Sequence, residues 1–449
     1  MNPLFRKETF QLLKIAWPVV LGQLGHVTVG VADSAMIGQT GTIPLAAASL
    51  ANSIFILPLV FGIGVAYGVT PLVANAHGQS DLQRLGRLLS QGILINGLMG
   101  VILMTLLFLL RPLIAHSGQQ EEVLELALPY LGILIASILP FMLFLSLKQF
   151  AEGLSDTRPA MYISLGANLL NVLLNYLLIF GKWGFPELGI MGAGYATLIS
   201  RIIMLFGLFL YLLLHPNYAQ YRVDLLPRRI EWERIRRILS IGIPTGLQYL
   251  FEVGAFAAAA ILIGTIGAMP LAAHQVAISL ASISYMAASG IGAAASVRVG
   301  NAAGRKDPIG IRRTGIAAVV LVLALMGTAG LIFAVFRQQL PAFYSDDAAV
   351  IGLSAQLLLV AVFFQFSDGL QALALGLLRG MEDVRIPTWI AFAVYWGFSL
   401  PASWLIGLHL GAGVVGIWIV LALALSLSAL FLGWRFHSLS GKALPAQLG

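Results

Sequence analysis

Twelve apolar stretches make up most of this chain. Each is near or above the ~20 residues that a helix needs to cross a bilayer core at 1.5 Å rise per residue. They run from Gln11–Ile37 to Val414–Phe436 and are separated by polar segments. The hydrocarbon core offers the backbone no hydrogen-bond partners, so each stretch must satisfy its own peptide groups as a helix. The fold class that follows is an all-α integral membrane protein with twelve transmembrane helices. Charged residues are only 10% of the 449, against roughly 25% in an average soluble domain. The first stretch continues past any small-residue cleavage site, so it is expected to be a retained helix, not a signal peptide.

The positive charges check this count. With loops alternating between the two sides, Arg111, Lys182 and Arg337 fall on one side and Arg201 lies inside the sixth stretch. The other 26 − 4 = 22 Lys and Arg residues fall on the opposite side. Cytoplasmic loops are enriched in Lys and Arg, so both termini are expected to be cytoplasmic. The net charge of +7 is thus a topology signal and does not call for a nucleic-acid partner. Cysteine is absent, which excludes disulfides, thiolate metal sites and cysteine nucleophiles. No P-loop, H-E-x-x-H or G-x-S-x-G pattern is present. An enzyme and an ATP-driven pump are both disfavoured. A transporter driven by an ion gradient, with no resident cofactor, is expected.

The chain contains one unit twice. At an offset of 244 − 18 = 226, Pro18 meets Pro244, Gly38 meets Gly264, Gly41 meets Gly267 and Pro44-Leu-Ala-Ala47 meets Pro270-Leu-Ala-Ala273. Further on, Gly64 meets Gly290, Asn75 meets Asn301, Gly78 meets Gly304 and Asp81 meets Asp307. Gly153, Asp156 and Arg158 meet Gly380, Asp383 and Arg385 at an offset of 227. Matched loop residues do not arise from shared hydrophobicity. The expected organisation is an N-terminal six-helix lobe over 1–215, a cytoplasmic linker over 216–237 and a C-terminal six-helix lobe over 238–449. Six is even, so the lobes share one orientation and are related by a pseudo-twofold axis along the membrane normal, around a central cavity. Pro18 and Pro244 are candidates for hinges or for static kinks.

Within the apolar stretches stand three carboxylates: Asp33, Glu252 and Asp368. A charged side chain at the bilayer centre costs about 2.5–3.5 kcal/mol on insertion scales, and chains keep such groups mainly where they handle an ion, a proton or a substrate. Each acid sits in a polar stripe at helical spacing: Gln23, His26, Gly30 and Asp33; Thr245, Gln248 and Glu252; Gln365, Asp368 and Gln371. Asn168, Asn171 and Asn175 form a fourth stripe without an acid. A structural polar seam between helices is the plain alternative for each. Asp33 has no acidic counterpart, since 33 + 226 is Ala259, so the two lobes carry different polar chemistry. His26 and His274 read as hydrogen-bonded structural groups more readily than as ligands. Arg201 is expected to snorkel or to pair near the cytoplasmic end. Phe363, Phe364, Phe366, Tyr395 and Trp396 offer aromatic faces to a cationic ligand, or simply pack the core.

Val31-Ala-Asp-Ser-Ala-Met36, Phe251-Glu-Val253, Ala272-Ala-His-Gln-Val-Ala277, Asp368-Gly-Leu-Gln-Ala372 and Leu378-Arg-Gly-Met-Glu-Asp383 together resemble the MATE (multidrug and toxic compound extrusion) family, in its NorM-like bacterial branch, over nearly the whole chain. The resemblance implies an antiporter of the bacterial inner membrane that expels cationic, lipophilic drugs in exchange for Na+ or H+ by alternating access. It implies two candidate cation sites: Glu252 with Asp368 in the second lobe, and Asp33 with Asn171, Asn175 and Thr197 in the first. Gln23, His26, Gln248, Gln365, Gln371 and Tyr395 are candidate substrate-cavity residues. Carboxylate, amide and hydroxyl oxygens suit sodium, a hard cation. Drug and coupling ion are the expected partners beside the bilayer itself, and a monomer is expected. The rival is a flippase for lipid-linked saccharides with a related two-lobe fold. Such a cavity would be lined by cationic groups for phosphates, whereas the charges embedded here are chiefly acidic.

Overall fold

The computed structural model of the chain describes residues 3–115, 118–221 and 230–441. Among these residues, twelve helices are long and apolar enough to cross a membrane. The first six are α1 (Arg6–Gly38), α2 (Thr42–Gly78), α3 (Leu82–Ile114), α4 (Glu121–Gly153), α5 (Arg158–Phe180) and α6 (Ile190–Leu214). The second six are α7 (Trp232–Ile266), α8 (Ala268–Gly304), α9 (Pro308–Val335), α10 (Ala348–Gly380), α11 (Arg385–His409) and α12 (Gly413–Gly441). This is the expected number and class. The linker arginines Arg222, Arg228 and Arg229, and Lys442, lie outside the described residues.

The repeat reappears in the backbone. The turns after α2 and α8 each place a non-glycine residue in the left-handed region, Ser80 at φ 60° and Lys306 at φ 55°, a conformation uncommon for such residues. The turns after α4 and α10 do the same with Ser155 at φ 66° and Glu382 at φ 61°. The offsets are 226 and 227, as in the sequence. Each turn is followed by an aspartate. Asp81 Oδ1 accepts the backbone N–H of Arg84 at 2.9 Å, and Asp307 Oδ1 accepts that of Gly310 at 2.8 Å, so both cap the next helix. Asp156 accepts the Tyr218 hydroxyl at 2.7 Å, and Asp383 accepts Arg435 Nε at 2.8 Å. The second pair of aspartates thus fastens each turn to a later segment of its own unit.

The chain forms two compact units, but they do not divide at the linker. One is Leu21–Gly246; the other is Met1–Val20 with Leu247–Gly449. Compared with a division into 1–215 and 238–449, the leading parts of α1 and α7 are exchanged. Close backbone packing is the reason. In the Leu21–Gly246 unit, a Cβ on Gly64 of α2 would lie 2.5 Å from the Cα of Gly246 on α7, and one on Gly68 would lie 2.8 Å from the backbone nitrogen of Gly242. In the other unit, a Cβ on Gly290 of α8 would lie 3.0 Å from the Cα of Val20 on α1. Gly64 with Gly246 and Gly290 with Val20 are the same contact, 226 residues apart. Leu12, Ile15 and Ala16 of α1 are fully or nearly fully buried in one core with Ala288, Ala295 and Val299 of α8. At the end of that segment Glu8 accepts Arg298 Nη2 at 2.6 Å and the Thr314 hydroxyl at 2.9 Å. Both exchanges fall two residues beyond a proline inside the helix, Pro18 in α1 and Pro244 in α7, where one i→i−4 hydrogen bond is missing.

Small residues let transmembrane helices approach this closely. Gly64→Ala is therefore expected to destabilise the purified protein by about 1–3 kcal/mol, the usual cost of overpacking. Gly352→Ala on α10, where a Cβ meets nothing within 4 Å, is expected to leave stability unchanged. Thermal melting in detergent, read by size-exclusion recovery, distinguishes the two.

Candidate cation sites in the two units

In the Leu21–Gly246 unit, helical spacing brings Asn171 and Asn175 to one face of α5, opposite Asp33 of α1. Asn175 Nδ2 donates to Asp33 Oδ1. The Asn171 amide is satisfied when its oxygen faces the backbone N–H of Thr197, at 3.3 Å, which places its nitrogen 3.0 Å from the same Asp33 oxygen. Four predicted residues on three helices thus come together. Thr197 joins through its backbone N–H. Asn175 Oδ1 is buried with no hydrogen-bond partner among the described residues. Gln23 and His26 sit further along α1, where Gln23 Nε2 donates to the Tyr67 hydroxyl at 3.3 Å and His26 meets the ring of Phe141 edge-on at 6.3 Å.

Arg201 departs from its expected place. It does not reach for the membrane surface. Its Nη1 donates to Ser137 Oγ at 2.7 Å, and its guanidinium lies over the rings of Phe141, at 4.6 Å, and Phe55, at 5.4 Å. Cation–π contact and a hydroxyl acceptor keep the charge inside the unit that also holds Asp33. The nearby α4 pair Lys148 and Glu152, buried and 3.6 Å apart, balances itself. This interior therefore holds Asp33 and Glu152 against Arg201 and Lys148, two charges of each sign.

The other unit is built differently. Glu252 of α7 is 5% exposed. Its Oε1 accepts from the Tyr285 hydroxyl of α8 and from Gln371 Nε2 of α10, both at 3.3 Å. Gln371 Oε1 in turn accepts the Tyr395 hydroxyl of α11 at 2.8 Å. Gln365 Oε1 accepts from Ser284 Oγ at 2.8 Å. Asp368 lies between Gln365 and Gln371 on α10, 4% exposed. Glu252 Oε2 is buried and has no hydrogen-bond partner among the described residues. Gln248, one turn before Glu252, is buried as well. Thr245 is not part of the network, because its hydroxyl returns to the Ile241 carbonyl of its own helix at 2.8 Å. Within this interior Glu8 is neutralised by Arg298, leaving Glu252 and Asp368 against Arg379 alone, whose guanidinium lies 5.7 Å over the Tyr249 ring. Counted as ionised side chains among the described residues, the two carboxylates outnumber the arginine by one.

Tyr285 and Arg201 are the two contributors least visible in the sequence. Tyr285 carries one signal there, a hydroxyl in an apolar helix next to Ser284. His274 is structural, as expected: its Nδ1 accepts Trp418 Nε1 at 3.1 Å in the core. Phe364 packs against Trp418 with ring centroids 5.6 Å apart and belongs to that core, while Phe363 is exposed. Trp396 Nε1 donates to the Phe251 carbonyl at 3.1 Å. Tyr395 and Trp396 lie in a π-helical stretch, Ala393–Ser399, and a second, Trp404–His409, follows the short segment containing Pro401. Such widened turns recur at functional sites; here one lets both side chains reach α7 and α10.

A repeated six-helix design of apolar helices places the chain in the class of polytopic membrane transporters. The family model MatE matches residues 18–177 and 244–405, segments whose starts are again 226 apart. The chain belongs to the MATE family. It is 36% identical over 432 residues to the probable multidrug resistance protein NorM of Rhizobium meliloti, covering 95% of this chain and 92% of that one. It is 32% identical to the multidrug resistance protein NorM of Vibrio cholerae, covering 99% and 98%. Its fold matches the eukaryotic MATE transporter AtDTX14 with a TM-score of 0.87 at 23% identity, and a point mutant of the Vibrio cholerae MATE transporter VcmN with 0.89 at 21%, each over 98% of both chains.

Removing one partner of a buried charge pair costs about 3–5 kcal/mol, because the other is left uncompensated. Arg201→Met is therefore expected to lower the melting temperature markedly. The double variant Asp33→Asn with Arg201→Met is expected to recover a large part of that loss. A strictly additive cycle would show that the two charges do not act on each other.

Proposed function

We propose that the chain is a multidrug efflux antiporter of the bacterial inner membrane, with both termini cytoplasmic, working as a monomer. It expels cationic, lipophilic compounds in exchange for Na+ or H+ by alternating access, and the coupling ion binds in the unit that holds Glu252 and Asp368. The names of the NorM relatives support multidrug efflux. The observation that carries the choice of site is the charge balance: counted as ionised, Glu252 and Asp368 have one buried arginine in their unit among the described residues, whereas Asp33 shares the interior of its unit with Arg201, held over Phe141.

The donor set fits a monovalent hard cation. The free Oε2 of Glu252, the Asp368 carboxylate and the amide oxygen of Gln365 are oxygen ligands of the kind sodium takes, and either carboxylate can hold a proton instead. Arrival of the cation neutralises the excess charge. That weakens attraction for a cationic drug sharing the pathway, so drug leaves when the ion enters. Coupling follows because the two ligands favour opposite conformations; an ion that bound both equally would shift nothing. Asp33, held by the amides of Asn175 and Asn171, is assigned a structural part in ordering α1, α5 and α6, with Gln23 and His26 further along α1. Gln248, Gln371 and Tyr395 hold Glu252 in register.

The test is transport in liposomes with an imposed Na+ or H+ gradient, followed with a fluorescent lipophilic cation. Glu252→Gln and Asp368→Asn are each expected to cut gradient-driven transport about tenfold or more, matching loss of a contact to a charged group worth about 1.5–3 kcal/mol. Asp33→Asn is expected to retain coupling in whatever protein folds. Transport that follows neither gradient would overturn antiport. Loss confined to Asp33→Asn would move the coupling site to the other unit.

A further inference from the structure

On the Met1–Val20 with Leu247–Gly449 unit, α9, α10 and α12 enclose a cleft of about 560 Å³ that is separate from the Glu252 network. Its lining is sorted by height. Arg312 of α9 and His437 and Ser440 of α12 lie at one end, level with Leu377 near the end of α10. From there the walls are apolar or small, reaching Val320 on α9, Leu370 on α10 and Ala429 on α12. The lining spans 320 − 312 = 8 residues on α9, 377 − 370 = 7 on α10 and 440 − 429 = 11 on α12, so the cleft runs ~10–16 Å along the helix axes at 1.5 Å per residue. It is open sideways: Ile316 is 59% and Val320 47% exposed. A Cβ on Gly433, which lines the cleft, would meet nothing within 4 Å.

Arg312 is exposed and makes no hydrogen bond or ion pair among the described residues, and the His437 side chain makes none either. Arg313 is exposed beside them, and Arg305 and Lys306 precede α9 at the same end. This is the Lys- and Arg-rich side of the protein. An apolar slot open to hydrocarbon, closed at headgroup level by the Arg312 guanidinium and the His437 imidazole, matches one kind of molecule. We propose that the cleft binds an anionic phospholipid, its phosphate headgroup at Arg312 and His437 and one acyl chain along the Gly433 groove. Basic pockets between helices on the positive side of membrane proteins recognise such headgroups. The same charges argue against a cationic drug as occupant. The α10 wall of the cleft, Leu370, Leu373 and Leu377, is on the helix that carries Asp368 and Gln371, so the lipid braces the outer side of the helix whose other residues build the ion site.

The experiment uses full-length protein in detergent, with phosphatidylglycerol or phosphatidylethanolamine added and bound lipid counted by native mass spectrometry. One tightly held phosphatidylglycerol per chain is expected, and phosphatidylethanolamine is expected to bind more weakly. Arg312→Ala should weaken phosphatidylglycerol binding about fivefold, the worth of one basic residue near an anionic lipid surface. Arg158→Ala, which removes an exposed arginine of the other unit, should not. Gly433→Trp fills the groove without touching the charges and should displace the lipid; melting without lipid checks that this variant is folded. Equal affinity for both lipids, or unchanged phosphatidylglycerol binding in Arg312→Ala and in folded Gly433→Trp, would overturn the proposal. So would a second copy of the chain or another protein cross-linking at Gly433→Cys in place of lipid.

Discussion

Everything in this protein answers to the cost of leaving a charge unpaired away from water. A low-dielectric interior strengthens attraction between partners and penalises a lone ion by several kcal/mol. The Leu21–Gly246 unit meets that constraint internally. Arg201, drawn in by Phe141, Phe55 and Ser137, stands against Asp33, and Lys148 stands against Glu152. The other unit leaves the constraint unmet. Glu252 and Asp368 share one arginine, and one carboxylate oxygen of Glu252 has no donor among the described residues.

The scaffold that holds these groups depends on backbone contact. Gly64 against Gly246 and Gly290 against Val20 bring helices together where any larger residue would hold them apart. The same contacts tie the leading part of α1 and of α7 into the unit formed by the opposite half of the sequence. Each of these two helices is thereby shared, and each carries an acid beyond its exchange point, Asp33 on α1 and Glu252 on α7.

Much of this was legible in the sequence. The apolar stretches and the 226-residue offset give the helix number and the repeat, because each depends on local composition or on matched loop residues such as Asp81 and Asp307. The three acids and their stripes were legible for the same reason: helical periodicity alone puts Gln365, Asp368 and Gln371 on one face. The residues that decide between the two candidate sites were not. Arg201 was expected to snorkel or to pair near the cytoplasmic end, and nothing local announces the rings of Phe55 and Phe141, which lie on α2 and α4. Tyr285 joined Glu252 only through the packing of α8 on α7. The exchange of half-helices was hidden as well, because glycine spacing tells that helices can approach closely but not which ones do.

The central claim is that the unit holding Glu252 and Asp368 takes the coupling ion because its charge is unbalanced. Charge displacement on a solid-supported membrane, after a rapid Na+ or pH jump with no drug present, measures ion entry directly. The account predicts a transient current that persists in Asp33→Asn and is lost in both Glu252→Gln and Asp368→Asn. A current abolished by Asp33→Asn and intact in the other two variants would contradict it.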